Sequence, residues 1–280
     1  MNKDSCGSVF KLLLAETSID VFSNSLGSSF ERFLQPFLRP SNHKGAVEET
    51  VSVQSREGAY FLRTGPESDR IFRADTVDDF VLLFDRFLID RFISWVPAPK
   101  LLIHAAVFVT SETLFVFPGC SGAGKTTLSE HLLNETDWTF LSDEIWAINP
   151  DQATVYPFPH PLNLNGPSKN SARTMEVRDS GGDHFYYGFP PGERCRNRRL
   201  PVDSIRVIEL SRHSENRWEL ESLTTGVGLQ RLFFHSMRPE NPTRRFERTM
   251  GLKTFNIHFH RLHYRDLNTV DLNCFKAVSV

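Results

Sequence analysis

The chain has 280 residues, of which 40% are hydrophobic and 24 are Phe, and its 32 Lys+Arg against 34 Asp+Glu leave a formal charge of −2. This excludes a disordered tail and leaves material for one generous domain or a compact domain with a companion. The near-neutral balance excludes a uniformly basic nucleic-acid-binding surface.

Cys6, Cys120, Cys195 and Cys274 lie far apart with no C-x-x-C pair, which fits neither a disulfide framework nor a zinc ribbon. Lys11 to Ala15 is too short for a signal-peptide core, and the apolar run Leu101 to Val109 is half a membrane span. The expectation is a soluble, cytoplasmic protein with no membrane partner.

Residues 1 to about 75 lean towards β-structure, broken by Pro36, Pro40-Ser41-Asn42 and Lys44-Gly45. Val51 to Val53 and Ala59 to Leu62 read as strands around Arg56-Glu57-Gly58. An amphipathic helix follows. Thr76 with Asp79 forms a capping box, and Val77, Phe80, Val81, Phe84, Phe87, Leu88, Phe92 and Trp95 make one apolar face. Pro97-Ala98-Pro99 ends it, so a β-leaning region over 1–97 precedes a second domain over 98–280.

The second domain begins with strands over 101–109 and 113–117, then a Gly-rich turn and a helix to Leu132 or Leu133. Further strands are predicted over 138–141, 145–149 and 154–156. Residues 163–201, rich in Gly, Pro, Ser, Asn and Arg, read as a long loop. A returning hairpin is expected from 205–210 and 218–223, helices over 226–237 and 243–250, and a last strand over 256–264. Crossovers mixed with hairpins make this an α/β domain with a mixed sheet.

The chemistry centres on Gly119-Cys120-Ser121-Gly122-Ala123-Gly124-Lys125-Thr126, followed by Thr127. It fits G-x-x-x-x-G-K-[ST] between a strand and a helix, a pattern expected by chance in roughly one in a hundred chains of this length. Glycines let backbone N–H groups turn around phosphate oxygens, and the helix N-terminus adds positive potential. Lys125 would reach the terminal phosphates of ATP, and the Thr126 hydroxyl would join a Mg²⁺ shell. Asp143 and Glu144 end the next strand, beside the loop, where a metal ligand or a general base is needed.

Other residues carry weaker signals. By residue type alone His104, mid-strand among apolar neighbours, reads as a core histidine. His258 and His260 share a strand face and His263 takes the other, a polar surface pattern more than a metal site. The run from Gly192 to Arg199 reads as a solvated basic loop, with docking of an acidic or phosphorylated group as the alternative. Arg238, Arg244, Arg245 and Arg248 are candidates for contacting a transferred phosphoryl group.

The order His104-Ala105-Ala106-Val107, P-loop, Leu141-Ser142-Asp143-Glu144 resembles HPr kinase/phosphorylase and its relatives, most of all the HPr kinase-related branch linked to peptide maturation or export systems. Pro157-Phe158-Pro159-His160-Pro161 resembles that family's proline-rich strand, and His263-Tyr264-Arg265-Asp266-Leu267 its closing segment. The resemblance runs from about Leu82 to Phe275. It implies a P-loop kinase fold of the HPr kinase/phosphoenolpyruvate carboxykinase type. It makes His104, Lys125 and Asp143 catalytic, with Asp143 as the base, and assigns Thr126 and Glu144 to the metal.

Three features depart from the family pattern. The acidic pair is Asp-Glu instead of Asp-Asp, and Asn163 or Asn165 stands where a metal-binding glutamate is expected. Lys169-Asn170 offers the related branch's Lys-Asn pair if Asn165-Gly166-Pro167 is an insertion. The HPr kinase signature loop is not recognisable, so neither HPr as substrate nor the phosphorylase activity is implied.

The expected activity is ATP- and Mg²⁺-dependent transfer to a Ser or Thr hydroxyl of a protein or peptide, by a chain able to form homo-oligomers. The alternatives are a small-molecule hydroxyl kinase and a P-loop ATPase or nucleotide-binding module. No N-K-x-D motif supports guanine specificity.

Overall fold

A computed structural model of the chain describes residues 8–24, 27–38, 47–64, 71–110, 113–166, 173–214, 217–237 and 241–277. The expected turns at Pro40 to Gly45, the Lys169-Asn170 pair and Arg238 lie outside these residues.

The chain opens with β1 (Ser8–Leu14), β2 (Thr17–Ser23), α1 (Ser28–Leu34), β3 (Val47–Arg56), β4 (Ala59–Thr64), β5 (Ile71–Ala74) and α2 (Val77–Trp95). Then come β6 (Leu101–Val109), β7 (Leu114–Pro118), α3 (Lys125–Glu135), β8 (Thr139–Ser142), β9 (Ile145–Asn149) and β10 (Thr154–Tyr156). Three short strands follow: β11 (Leu162–Leu164), β12 (Thr174–Arg178) and β13 (His184–Gly188). The last elements are β14 (Leu200–Pro201), β15 (Ser204–Arg212), β16 (Glu219–Leu223), α4 (Thr225–His235), α5 (Pro242–Gly251), β17 (Asn256–Tyr264) and α6 (Asn273–Ala277).

These elements form two compact units. One comprises Met1–Val96 with Pro161–Gly192, the other Pro97–His160 with Glu193–Val280. Residues 161–192, expected within 98–280, therefore belong with the first unit. The fold is mixed α/β, and among the described residues no helix is long and apolar enough to cross a membrane.

In the first unit, β1 to β5 form a sheet in chain order, and β11-β13-β12 a three-stranded one. Glu57 and Gly58, at φ of 52° and 77°, close the β3–β4 hairpin as a two-residue turn of the type that matches strand twist. α2 begins as predicted: the Asp79 N–H donates to Thr76 Oγ1 at 3.0 Å and the Thr76 hydroxyl to Asp79 Oδ2 at 2.8 Å. Its apolar face buries Phe80, Val81, Phe84, Phe87, Leu88 and Phe92. The Tyr187 hydroxyl donates to Asp85 at 2.9 Å, tying β13 to α2. A cavity of about 910 Å³ in this unit is lined in part by Leu83, Phe87, Asp90, Arg91, Phe185 and Tyr186, and includes no P-loop residue.

The long loop expected over 163–201 is thus corrected. Met175 and Val177 alternate with exposed Glu176 and Arg178 in β12, and Gly182 at φ 92° turns the chain into β13. Strands of three to five residues between Gly and Ser clusters carry too few alternations to stand out in the sequence.

The second unit is built on a nine-stranded mixed sheet, ordered β14-β10-β9-β6-β7-β15-β17-β16, with β8 also paired to β6. β7, β15 and β17 run parallel, while β6 is antiparallel to β7, β8 and β9. The expected hairpin of 205–210 with 218–223 does not form, because β17 lies between the two and pairs with both. A short link between two strands suggests direct pairing, but β15 instead takes parallel partners on both edges.

Val107, Val116, Val207 and Phe259 on one sheet face form a core with Leu229 and Leu232 of α4 and Leu252. Neighbouring positions put an aromatic layer on the other face. Phe115 stacks on Trp138 at 4.2 Å, and Phe117 meets Phe275 edge-on at 5.4 Å. The basic run after Gly192 is not a free loop either. Arg194 donates to the carbonyls of Leu132, Leu133 and Trp138, satisfying the C-terminal end of α3.

Candidate functional site

Strand β7 delivers the chain into residues 119–124, and α3 starts at Lys125 with no side-chain cap. The N–H groups of its first turn are therefore left for a ligand. Gly122 and Gly124 hold φ of 77° and 84°. A Cβ on Gly124 would lie 3.0 Å from Leu267 Cδ1 and 3.1 Å from the Tyr264 hydroxyl, so the closing segment buttresses the loop from behind. That hydroxyl is buried without a hydrogen-bond partner. Within the loop Cys120, Ser121, Gly122 and Thr127 are exposed, Gly119, Ala123 and Lys125 are buried, and Gly124 and Thr126 lie between.

Lys125 Nζ donates to the carbonyls of Gly119 at 2.9 Å and Cys120 at 3.3 Å. Its ammonium is held over the loop's own backbone, where burial lowers its pKa and the carboxylates of Asp143 and Glu144 oppose that shift.

The acidic pair arrives on the β8–β9 turn. Ser142 Oγ accepts from the N–H groups of Glu144 at 3.2 Å and Ile145 at 2.9 Å, which fixes the turn. Because β8 and β7 run the same way on either side of β6, the turn lies at the P-loop end of the sheet. There Thr126 Oγ1 donates to Asp143 Oδ2 at 2.7 Å, and Ser129 Oγ to Oδ1 at 2.5 Å. Asp143 is 1% exposed. Burial raises its pKa to about 6, against the two hydroxyl donors that favour the carboxylate.

His104 is no sealed core histidine: its side chain is 39% exposed. Its Nδ1 lies 2.9 Å from the Glu144 carbonyl oxygen and 3.5 Å from the Glu144 carboxylate. A carbonyl only accepts, so Nδ1 carries the proton and Nε2 is the basic nitrogen of the neutral ring.

No known family model matches this chain, and no curated protein does.

The fold therefore brings Lys125, Thr126, Asp143, Glu144 and His104 into one locale. Ser129, absent from the sequence reading, joins them, three residues after Thr126 on the same helical face. Other candidates fall elsewhere. Arg245 lies over the Phe233 ring at 4.6 Å, and Arg248 donates to the Lys100 carbonyl at 2.7 Å. Both are structural contacts, while Arg244 is exposed. The proline-rich segment 157–161 is buried but pairs in no strand, and His160 stacks on Phe158. His258, His260 and His263 partner Asn256, Ser222 and Glu221 respectively. Among the described residues no cluster of three His, Cys, Asp or Glu can hold a metal by itself. The site offers instead the Thr126 and Ser129 hydroxyls and two carboxylates, hard oxygen donors of the kind that bind Mg²⁺ together with phosphates and water.

Proposed function

We propose that the second unit is an ATP- and Mg²⁺-dependent kinase of the HPr kinase type, acting on a Ser or Thr hydroxyl of a protein or peptide. The observation that carries this reading is the 2.7 Å contact between Thr126 and Asp143, which joins a P-loop hydroxyl to an acidic residue. The first-turn N–H groups of α3 and Lys125 bind the phosphates, Lys125 exchanging the Gly119 and Cys120 carbonyls for them. Thr126 and Glu144 are the residues that would hold Mg²⁺, which would supply charge neutralisation for the phosphates. Asp143 gives up one hydroxyl donor and takes the acceptor's proton. The acceptor oxygen bonds to the γ-phosphorus, the bond to the β–γ bridging oxygen breaks, and ADP leaves with that electron pair. His104 holds the turn that carries the pair. The acceptor class rests on the resemblance alone.

A second reading exchanges the two carboxylates, with Asp143 at the metal and Glu144 as base. It is favoured by the near-complete burial of Asp143 and by the partial exposure of Glu144 next to His104. Nucleotide affinity and single-turnover transfer in Asp143→Asn and Glu144→Gln decide between them. With Asp143 as base, Asp143→Asn binds Mg-ATP almost normally and loses about 10²–10⁴-fold in transfer, while Glu144→Gln mainly weakens metal-dependent binding. The reverse pattern assigns the base to Glu144. Free phosphate without transfer to any acceptor would make the protein an ATPase.

A further inference from the structure

Arg206 of β15 is 5% exposed, and its Nε and Nη1 are buried with no hydrogen-bond partner. Among the described residues it makes no ion pair. The contrast with Glu209 on the same strand is instructive: that carboxylate gathers Arg231 at 3.0 Å, Arg261 at 2.8 Å and His235 at 3.2 Å. Two buried guanidinium nitrogens with no partner among the described residues are a costly arrangement.

Two histidines flank it on β17, and His258 already gives its Nε2–H to Asn256 Oδ1 at 2.9 Å. His258 is the register partner of Arg206 on β17, and His260 follows two residues later on the same face. Ser222, the register partner of His260 on β16, lies with Oγ 3.3 Å from His260 Nδ1. The Ser222 hydroxyl donating to Nδ1 leaves Nε2–H as a second buried donor with no partner. Burial and the Arg206 charge keep both imidazoles below their ordinary pKa, so the patch repels further protons.

We propose that Arg206 and His260 form an oxyanion site for a phosphate group, separate from the P-loop. Guanidinium and imidazole donors converging from two strands suit an ion with three or four accepting oxygens better than a carboxylate with two. Arg206 pairs in register with Phe115 near the start of β7, whereas the P-loop leaves its far end, and Gly119 packs near Leu210. Four residues of β15 separate Arg206 from Leu210, about 13 Å of strand.

The test uses the full chain carrying Lys125→Ala, so that phosphate binding at the P-loop does not mask the second site. Inorganic phosphate, compared with chloride at equal ionic strength, should raise the melting temperature, and labelled phosphate should bind saturably at one site per chain. Adding Arg206→Met should abolish both effects. Arg206→Lys, which keeps the charge but not the fork, should weaken binding at least tenfold. Phosphoserine protecting as well as inorganic phosphate indicates a phosphate presented on a larger molecule, and protection by inorganic phosphate alone indicates the free ion. Equal protection in the Arg206→Met protein, no protection in the Lys125→Ala protein, or equal protection by acetate overturns the proposal.

Discussion

Ser129 donates its hydroxyl hydrogen to Oδ1 of Asp143 at 2.5 Å, one helical turn after the P-loop lysine. Both residues are buried, so the contact is made without competition from bulk water. Ser129→Ala removes the donor and leaves a buried carboxylate oxygen without it, which costs about 1–3 kcal/mol. The expected result is a lower denaturation midpoint with an unchanged slope. Loss of transfer without loss of stability would place Ser129 in the chemistry instead.

Lys125 carries the loop's full positive charge, and it contacts only backbone carbonyls among the hydrogen bonds of the site. Lys125→Ala should leave the fold intact by circular dichroism, weaken ATP binding and reduce transfer by at least two orders of magnitude (roughly). Near-normal activity would remove the P-loop from the mechanism. Thr126→Ala should instead raise the Mg²⁺ concentration needed for half-maximal activity.

His104 tests whether the acidic turn must be held from outside. Its partly exposed ring contributes little core burial, so His104→Ala should change the melting temperature by a few degrees at most. Turnover should fall, because the Glu144 carbonyl keeps only the Ala105 N–H, at 3.3 Å, as a backbone donor. A strongly destabilised variant with normal turnover per folded molecule would make the histidine structural.

His260 contributes a pH dependence of stability with a definite sign. Its pKa is depressed to about 4 by burial first, then by Arg206 and His258. Above its ordinary value of 6.5 the ring is neutral in both states and contributes nothing. Between 6.5 and about 4 the unfolded chain takes a proton that the native state refuses. Stability therefore falls as pH falls, by at most about 1.4 kcal/mol per pH unit for one group. Asp143 acts in the opposite sense. Raised to about 6 from 3.8, it protonates first in the native state and favours folding as pH drops through that window. His260→Asn should lose less stability than the parent between pH 7 and 4.5 in denaturant titrations. Parallel profiles for the two proteins would refute the assignment.

Much of the fold was legible because its signals are local. The P-loop, the continuous apolar run of β6, the capping box of α2 and the Asp143-Glu144 turn each lie within a few residues. What escaped depends on distant partners. The β1–β2 hairpin turns on Ala15 and Glu16 at φ of 48° and 69°, residues that carry no turn signature, so tertiary context overrode propensity there. The insertion of β17 between β15 and β16 is a fact of sheet order that no spacing encodes. Ser129 was visible only as a hydroxyl on the Thr126 face, and its role emerges once Asp143 is known to lie opposite. Arg194 looked like one cation in a basic run, yet the carbonyls of the α3 C-terminus consume its donors.

The chain leaves the first unit at Val96, builds the P-loop and five strands of the second, and returns at Pro161 before departing again after Gly192. During synthesis the first unit thus lacks β11, β12 and β13 until the ribosome has already released α3 and the acidic turn. Asp85 waits through about a hundred residues of translation for the Tyr187 hydroxyl. A fragment cut at Val96 would be missing that partner. Each unit is interrupted in sequence by the other.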